Sequence, residues 1–133
     1  MIVVDTDVLA YLLLPGPRTE QAEVLRRHHR QWAVPPLWRS EFRNVLTGYL
    51  RRDRLPFPKA VALMQEAEAI LSAHEEKIST EHVLQLVSSS RCSAYDCEFV
   101  AVAQHLSVSL ITEDRVILTA FPDVAQSLHQ ATS

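Results

Sequence analysis

The first seven residues constrain the fold more than any other feature of the chain. Met1–Val4 is an apolar run that ends abruptly at Asp5-Thr6-Asp7. An apolar run closed by polar capping residues is typical of a buried strand that leads into a helix. Because similar short apolar runs recur later, each separated by helical periodicity, the sequence predicts an α/β fold.

The alternation of strands and helices can be traced through the whole chain. Strands are predicted at residues 1–4, Gln31–Val34, Lys77-Ile78, Ser107–Thr112 and Val124–Leu128. Helices are predicted at Val8–Leu14, Thr19–Arg30, Trp38–Arg52, Pro58–His74, Ser79 or Thr80 to Ser88, Ser93–Leu106 and Asp114–Ala120. This order favours a parallel sheet covered by helices on both faces. With 133 residues and no visible linker, residues 1–133 are expected to form one domain.

Apolar residues at helical spacing predict which helix faces point inward. The predicted inner faces consist of Ala22 and Leu25; Trp38, Phe42, Val45 and Tyr49; Val61, Met64, Ala67 and Leu71; and Phe99, Val100 and Ala103.

Composition excludes several classes of protein. Only two glycines are present, which argues against a glycine-rich phosphate loop. No apolar run approaches the ~20 residues of a membrane span, and the opening run is no signal peptide because Asp5 and Asp7 interrupt it. Cys92 and Cys97 are interpreted as ordinary free thiols, so a cytoplasmic location is expected.

Charge is distributed unevenly. The net charge is −3, which gives no overall basic footprint for nucleic acid. Two basic runs nevertheless occur, at residues 26–30 and 51–54, and each could equally be a solvated helix end. If RNA is bound, the arginines expected to contact its phosphates are Arg26, Arg27, Arg30, Arg51, Arg52 and Arg54.

Four carboxylates occupy positions that a purely structural role explains incompletely. Asp5 and Asp114 follow predicted strands, so both should lie on the same rim of the sheet, although each could simply cap a helix. Glu41 lies on the apolar stripe of its helix, where an unpaired carboxylate is costly. Asp96 also points inward, while Ser93-x-x-Asp96 resembles a capping box that would satisfy it locally.

Brought together, these four anions need either raised pKa values or a cation. All their ligand atoms are oxygens, and oxygen sites select hard metals such as Mg²⁺ or Mn²⁺. A metal held in this way can activate water against a phosphodiester.

At this point the sequence resembles the PIN-domain ribonucleases and, within them, the VapC-type toxins. The resemblance rests on Asp5-Thr6-Asp7 after an apolar strand, Ser40-Glu41, Asp96 opening a helix of small and apolar residues, and Thr112-Glu113-Asp114. These motifs appear in the family's order and spacing along the whole chain.

The resemblance implies a three-layer α/β/α domain with Mg²⁺- or Mn²⁺-dependent endoribonuclease activity. Asp5, Glu41, Asp96 and Asp114 would hold the metal, and Thr6, Asp7, Asn44 and Thr112 would support them. Asp7 departs from the family pattern and either joins the site or caps the helix, and capping is favoured. A small antitoxin protein and a homodimer are also implied, with the Trp38–Arg52 and Pro58–His74 hairpin as the expected interface. The RNA target, the number of metal ions and toxicity in the cell are left open.

Two other functions remain at this stage. A PIN-like module that binds RNA or protein without cutting would retain the same fold. Asp5-Thr6-Asp7 also resembles the haloacid-dehalogenase-like phosphatases, which use an Asp nucleophile and need a nearby lysine, for which Lys77 is the candidate.

Overall fold

Four parallel strands form the centre of the protein in a computed structural model that describes residues 1–133. The strands are β1 (Ile2–Val4), β2 (Trp32–Ala33), β3 (Leu110–Ile111) and β4 (Ala125–Gln126), arranged in the order β2-β1-β3-β4. Val3 pairs with Ala33 on one side and with Leu110 on the other. All residues of β1 are buried, as expected for a parallel sheet covered on both faces.

Eight helices surround the sheet, and a 3₁₀ turn at Ser72–His74 follows the fourth of them. The helices are α1 (Thr6–Leu13), α2 (Thr19–His28), α3 (Trp38–Arg51), α4 (Phe57–Leu71), α5 (Thr80–Ser88), α6 (Ala94–Leu106), α7 (Arg115–Ala120) and α8 (Leu128–Thr132). α1 packs on α2 and α2 on α8, while α5 packs on α6, which covers β1 and β3. The predicted three-layer α/β/α fold is therefore confirmed. None of these helices combines the length and apolar composition needed to cross a membrane.

Two predicted strands differ from the structure, and one helix was not predicted. Lys77-Ile78 is not a strand, because the chain pairs with Val34 through Glu75 instead. The last strand covers only Ala125–Gln126, and α8 follows it. That helix has a Ser127–Gln130 capping box, a signal that was present in the sequence and was overlooked.

The inward faces were predicted correctly except in two helices. Ala22, Leu25, Phe99, Val100 and Ala103 are buried, as are Trp38 and Phe42. In α3, Leu46 is buried, whereas Val45 and Tyr49 are only partly covered. In α4 the buried face consists of Ala60, Leu63, Ala67 and Leu71; Met64 is partly buried against the core, and only the exposed Val61 was assigned wrongly. Apolar residues on both sides of α4 make its sequence pattern ambiguous.

Candidate active site

The carboxylates singled out in the sequence meet in one small pocket at the carboxyl edge of the sheet. We call it the acidic pocket; its volume is about 80 Å³. It is lined by Asp5, Thr6, Asp7, Glu41, Asp96, Phe99, Asp114 and Ile117. No lysine or arginine is among the lining residues, so the pocket concentrates negative charge without a compensating cation.

Two of the acids are positioned by strand ends. Asp5 follows β1 and is the N-cap of α1, where Oδ1 accepts the Val8 N–H at 3.1 Å. Asp114 follows β3 and caps α7, accepting the N–H groups of Val116 and Ile117 at 2.8 and 3.1 Å. The capping function considered for these residues is therefore present, and it does not remove them from the pocket. Capping fixes each carboxylate through one oxygen and leaves the second for other partners.

The other two acids come from the first turns of helices. Glu41 lies in the first turn of α3 and Asp96 in the first turn of α6. The Ser93 hydroxyl accepts the Asp96 N–H at 3.0 Å, so the predicted N-terminal cap of α6 is present. Both side chains are half-buried, and both line the acidic pocket.

Two threonines orient the deepest carboxylates. The fully buried Thr112 donates its hydroxyl to Oδ2 of Asp5 and accepts the N–H of Asp114 at 3.0 Å. Thr6 donates to Oε1 of Glu41 at 2.7 Å. Each hydroxyl holds its carboxylate in one rotamer, and Thr112 also links the two acids that follow β1 and β3.

Asp7 and Asn44 were predicted to support the ligands, and their positions differ. Asp7 lines the acidic pocket, and the N-cap of α1 is Asp5, so the favoured capping interpretation of Asp7 is wrong. Asn44 lies one turn after Glu41 in α3, is exposed, and makes no hydrogen bond to the four acids. Sequence spacing could not separate these cases, because both residues lie on the same helices as predicted ligands.

Burial and mutual repulsion raise the pKa values of the pocket acids. Desolvation raises the pKa of Asp5 to about 7, against the opposing hydrogen bonds from Thr112 and Val8. Desolvation also raises the pKa of Glu41, with Asp96 and Asp7 adding repulsion. The pKa of Asp96 is raised by desolvation and then by Asp114, and the pKa of Asp7 is raised by the same two causes.

The donor chemistry of the acidic pocket fits a hard divalent cation. Its polar side chains present only carboxylate and hydroxyl oxygens, the ligands that Mg²⁺ and Mn²⁺ prefer. Burial and neighbouring acids raise the pKa values of these carboxylates, and a bound cation would act in the opposite direction by favouring their ionised forms. No three His, Cys, Asp or Glu side chains are arranged to hold an ion as they stand. Mutual repulsion of the acids acts against such an arrangement without a cation.

Comparison with known proteins agrees with this geometry. A family model described as the PIN domain matches residues 2–124. The chain belongs to the PIN domain family. It is 27% identical over 124 residues to Ribonuclease VapC3 of Pyrobaculum aerophilum, across 91% of this chain and 95% of that protein. The resemblance inferred from the four acidic motifs is confirmed at the level of the family.

Solved structures support the same fold. PAE2754 from Pyrobaculum aerophilum superposes with a TM-score of 0.76 at 20% identity, over 98% of this PIN-domain chain and 92% of that one. A toxin–antitoxin complex from Klebsiella pneumoniae gives 0.68 at 18% identity, over 96% and 98% of the two chains.

The arginines predicted to bind RNA fall into two groups. Arg26 and Arg27 lie in the last turn of α2, and Arg30 lies between α2 and β2. The Gln31 carbonyl next to it accepts the N–H of Ile2 at the start of β1. These three arginines therefore lie at the amino edge of the sheet, opposite the acidic pocket. Arg51 is the last residue of α3, and Arg52 and Arg54 follow it. Arg54 lines a groove of about 460 Å³ that also contains Asp7, Tyr11 and Tyr49. Because Asp7 lines both cavities, this groove adjoins the acidic pocket.

Proposed function

We propose that the chain is a divalent-metal-dependent endoribonuclease, the toxin of a VapBC-type pair, that acts as a single domain over residues 1–133 in the cytoplasm. The observation that carries the proposal is the acidic pocket, where four carboxylates from distant parts of the chain meet without a cation. The similarity to a protein named Ribonuclease VapC3 supports RNA as the substrate.

Asp5, Glu41, Asp96 and Asp114 are the residues that would hold Mg²⁺ or Mn²⁺. When bound, such an ion neutralises charge on the phosphate and lowers the pKa of the attacking water. Burial raises the pKa of Asp5 to about 7, so near neutral pH about half of the molecules carry the proton there, and holding a metal would require the carboxylate form. Thr6 and Thr112 each donate a hydroxyl to one of these carboxylates, so Glu41 and Asp5 would lose little rotamer freedom in holding an ion.

Asp96 and Asp114 have a second function in this proposal, besides holding the metal. They lie in the first turn of α6 and at the start of α7, and we assign them the orientation of the attacking water. Asp114 is held by three backbone interactions, two accepted from α7 and one donated to Thr112, which fixes where its remaining oxygen points.

Substrate contacts are assigned to the arginines on the acidic side of the molecule. Of the six predicted from the sequence, Arg51, Arg52 and Arg54 are retained because Arg54 lines the groove next to Asp7. Arg26, Arg27 and Arg30 are not assigned to RNA binding, because an RNA strand bound in the acidic pocket would have to cross the sheet to reach them. Arginine contacts to phosphates position RNA without reading its sequence.

The partner assignment rests on the α3–α4 hairpin. Phe57 is 70% exposed and Val61 41% exposed near the start of α4, an apolar surface that water does not favour. One structural relative is described as a toxin–antitoxin complex. We assign this surface to an antitoxin or a second copy of the chain, and an antitoxin arginine inserted into the acidic pocket would supply the missing positive charge.

Cleavage of end-labelled RNA with Mg²⁺ or Mn²⁺ tests the proposal. Wild-type protein should cut only when metal is present, and Asp96→Asn should not cut. Asp123→Asn is the matched control, because Asp123 is an exposed aspartate outside the acidic pocket. RNA binding without cutting at any metal concentration would replace the nuclease with a binding module, and equal cutting by both Asp variants would refute the site.

The phosphatase interpretation loses its support in this geometry. The acidic pocket contains no lysine, and Lys77 lines a separate cavity with Ser79, His82 and His105. A covalent aspartyl phosphate would therefore lack the cation that such chemistry places beside its nucleophile.

A further inference from the structure

A second groove lies beside the acidic pocket and contains two arginines that the sequence did not single out. We call it the arginine groove; its volume is about 500 Å³. It is lined by Ser89, Ser90, Arg91, Arg115, Val116, Thr119 and Ala120. Guanidinium groups and hydroxyls supply hydrogen-bond donors, while most of the exposed lining is apolar, from Val116, Ala120 and the carbon atoms of the polar side chains.

The arginine groove and the acidic pocket are lined by different residues of the same short helix, α7. Arg115 directly follows Asp114, and the Val116 N–H donates to Oδ1 of Asp114. Val116 lines the arginine groove, whereas Ile117 lines the acidic pocket. Asp96 and Asp114 both contribute to raising the pKa of the Cys92 thiol, next to Arg91, after the larger effect of burial. Both arginines therefore lie within a few residues of the proposed ligands.

Both arginines are free to bind an anion. The protein contains ion pairs only at Arg18 and Arg39, so neither Arg91 nor Arg115 has a carboxylate within 4.0 Å. Both side chains are exposed. By contrast, Arg26 and Arg52 stack over aromatic rings.

The wall that carries Arg91 is ordered by local hydrogen bonds. The Ser90 hydroxyl donates to the Leu86 carbonyl at 2.7 Å and accepts the Cys92 N–H at 3.3 Å. These bonds fix the backbone on both sides of Arg91, so binding costs less conformational entropy than it would on a mobile loop.

We propose that the arginine groove binds the backbone phosphates of a single RNA strand next to the bond held in the acidic pocket. The inference rests on the proposed nuclease function and assigns it a substrate path. A phosphate approaching the acidic pocket meets repulsion from its carboxylates, and two unpaired guanidiniums at the rim offset that repulsion. A single strand suits the site because its phosphates can follow a narrow groove while its bases turn outward.

Fluorescence anisotropy of a labelled single-stranded oligoribonucleotide in EDTA tests this path without cleavage. Arg91→Gln/Arg115→Gln should weaken binding about tenfold and lower the slope of log Kd against log salt by about 1.4, the value for two phosphate contacts on a single strand. The comparator Arg27→Gln/Arg30→Gln removes equal charge at the amino edge of the sheet, and it should change Kd less than about twofold. Matching thermal melts confirm that both variants are folded.

Steady-state cleavage separates this inference from the proposed function. The Arg91→Gln/Arg115→Gln protein should show a raised KM with little change in kcat, because it lacks binding energy rather than catalytic groups. Wild type that binds through these arginines but never cuts would refute the nuclease and leave the groove assignment standing. Unchanged Kd and KM in this variant, or equal losses in the comparator, would overturn the groove assignment. If Kd and KM were unchanged, the groove would instead suit a protein partner.

Discussion

Two clusters of charged residues each include one residue of α3, and they are built in opposite ways. Arg39, in α3, bonds Glu75 at 2.6 Å and Glu68 at 2.7 Å, and Trp38 also donates to Glu75. We call these residues the Arg39 cluster. Glu41, two residues later on α3, faces the acidic pocket, where every charge is negative.

The difference shows in the acids themselves. Burial acts to raise the pKa of Glu75, but hydrogen bonds from Arg39 and Trp38 lower it below its ordinary value. Burial raises the pKa of Glu41, and its neighbours raise it further. The Arg39 cluster is therefore balanced within the chain and stabilises the fold, whereas the acidic pocket brings carboxylates together with no basic side chain beside them. Uncompensated charge of this kind is characteristic of functional sites.

Glu41→Gln should have the largest effect on activity. Losing one of four proposed ligands should lower kcat/KM by at least about 1,000-fold, which corresponds to about 4 kcal/mol of transition-state stabilisation. Stability in EDTA should not fall, because the amide still accepts from Thr6 and repels its neighbours less. Cleavage assays and urea melts measure both. Glu66→Gln, at an exposed position of α4, is the control, and near-normal cutting by Glu41→Gln would remove Glu41 from the site.

Asp5→Asn should change how stability depends on pH. In EDTA, folded Asp5 keeps its proton up to about pH 7, whereas the unfolded carboxyl loses it near its ordinary value. Between these pH values the folded state binds more protons, so the free energy of unfolding falls as pH rises and levels off above pH 7. Asp5→Asn should remove much of this fall and be more stable by about 2 kcal/mol at pH 7.5.

Urea melts from pH 4.5 to 8 measure this effect. In the control Asp123→Asn, the free energy of unfolding should fall with pH as steeply as in wild type. Adding Mn²⁺ at about 100 times its Kd should stabilise wild type by about 2.7 kcal/mol and Asp5→Asn by much less. If the free energy of unfolding of Asp5→Asn fell with pH as steeply as that of wild type, another group would cause the pH dependence. Glu75 contributes in the opposite direction, since its lowered pKa gives stability that is lost as the solution becomes acidic.

Arg39→Met should lower stability and leave activity nearly unchanged, the opposite of what is expected for Glu41→Gln. The variant keeps the aliphatic stem but removes both ion pairs, so stability should fall by about 1.5 kcal/mol, a moderate value because these side chains are partly exposed. Cleavage per folded molecule should stay within about twofold of wild type, since Arg39 does not line the acidic pocket. Arg43→Met, at an exposed position of the same helix, serves as the control. A stable but inactive Arg39→Met would show that the two clusters are coupled.

The acidic pocket was more predictable from the sequence than the Arg39 cluster. Asp5 and Asp114 follow strands, and parallel strands end at one edge, so local pattern alone brings them together. The Arg39 cluster depends on Glu68 and Glu75, which are 29 and 36 residues away from Arg39 and whose positions follow from how α4 packs on α3. Another long-range contact, the bridge between Val34 and Glu75, lies two residues before the strand that was wrongly predicted at Lys77-Ile78.

The arginines show a signal that was available and missed. A run that precedes a parallel strand must lie at the edge opposite residues that follow strands, which places Arg26, Arg27 and Arg30 away from the acids. Arg91 and Arg115 are close to Asp96 and Asp114 in sequence, so adjacency to the proposed ligands pointed to them. RNA contacts were instead predicted at runs of like charge, although such runs are usually solvated helix ends.

Thr112→Val should have the smallest effect of these changes. In the Arg39 cluster a cation donates to the acid, whereas in the acidic pocket the neutral Thr112 hydroxyl donates to Asp5. Valine fills the same buried volume but cannot donate to Asp5 or accept the Asp114 N–H. The pKa of Asp5 should rise further, so the acidic limb of the kcat/KM profile should move to higher pH while the rate at its plateau falls about fivefold. Thr112→Ser should restore the limb. A lower plateau with an unmoved limb would mean that Thr112 only packs, and that Asp5 is set by burial alone.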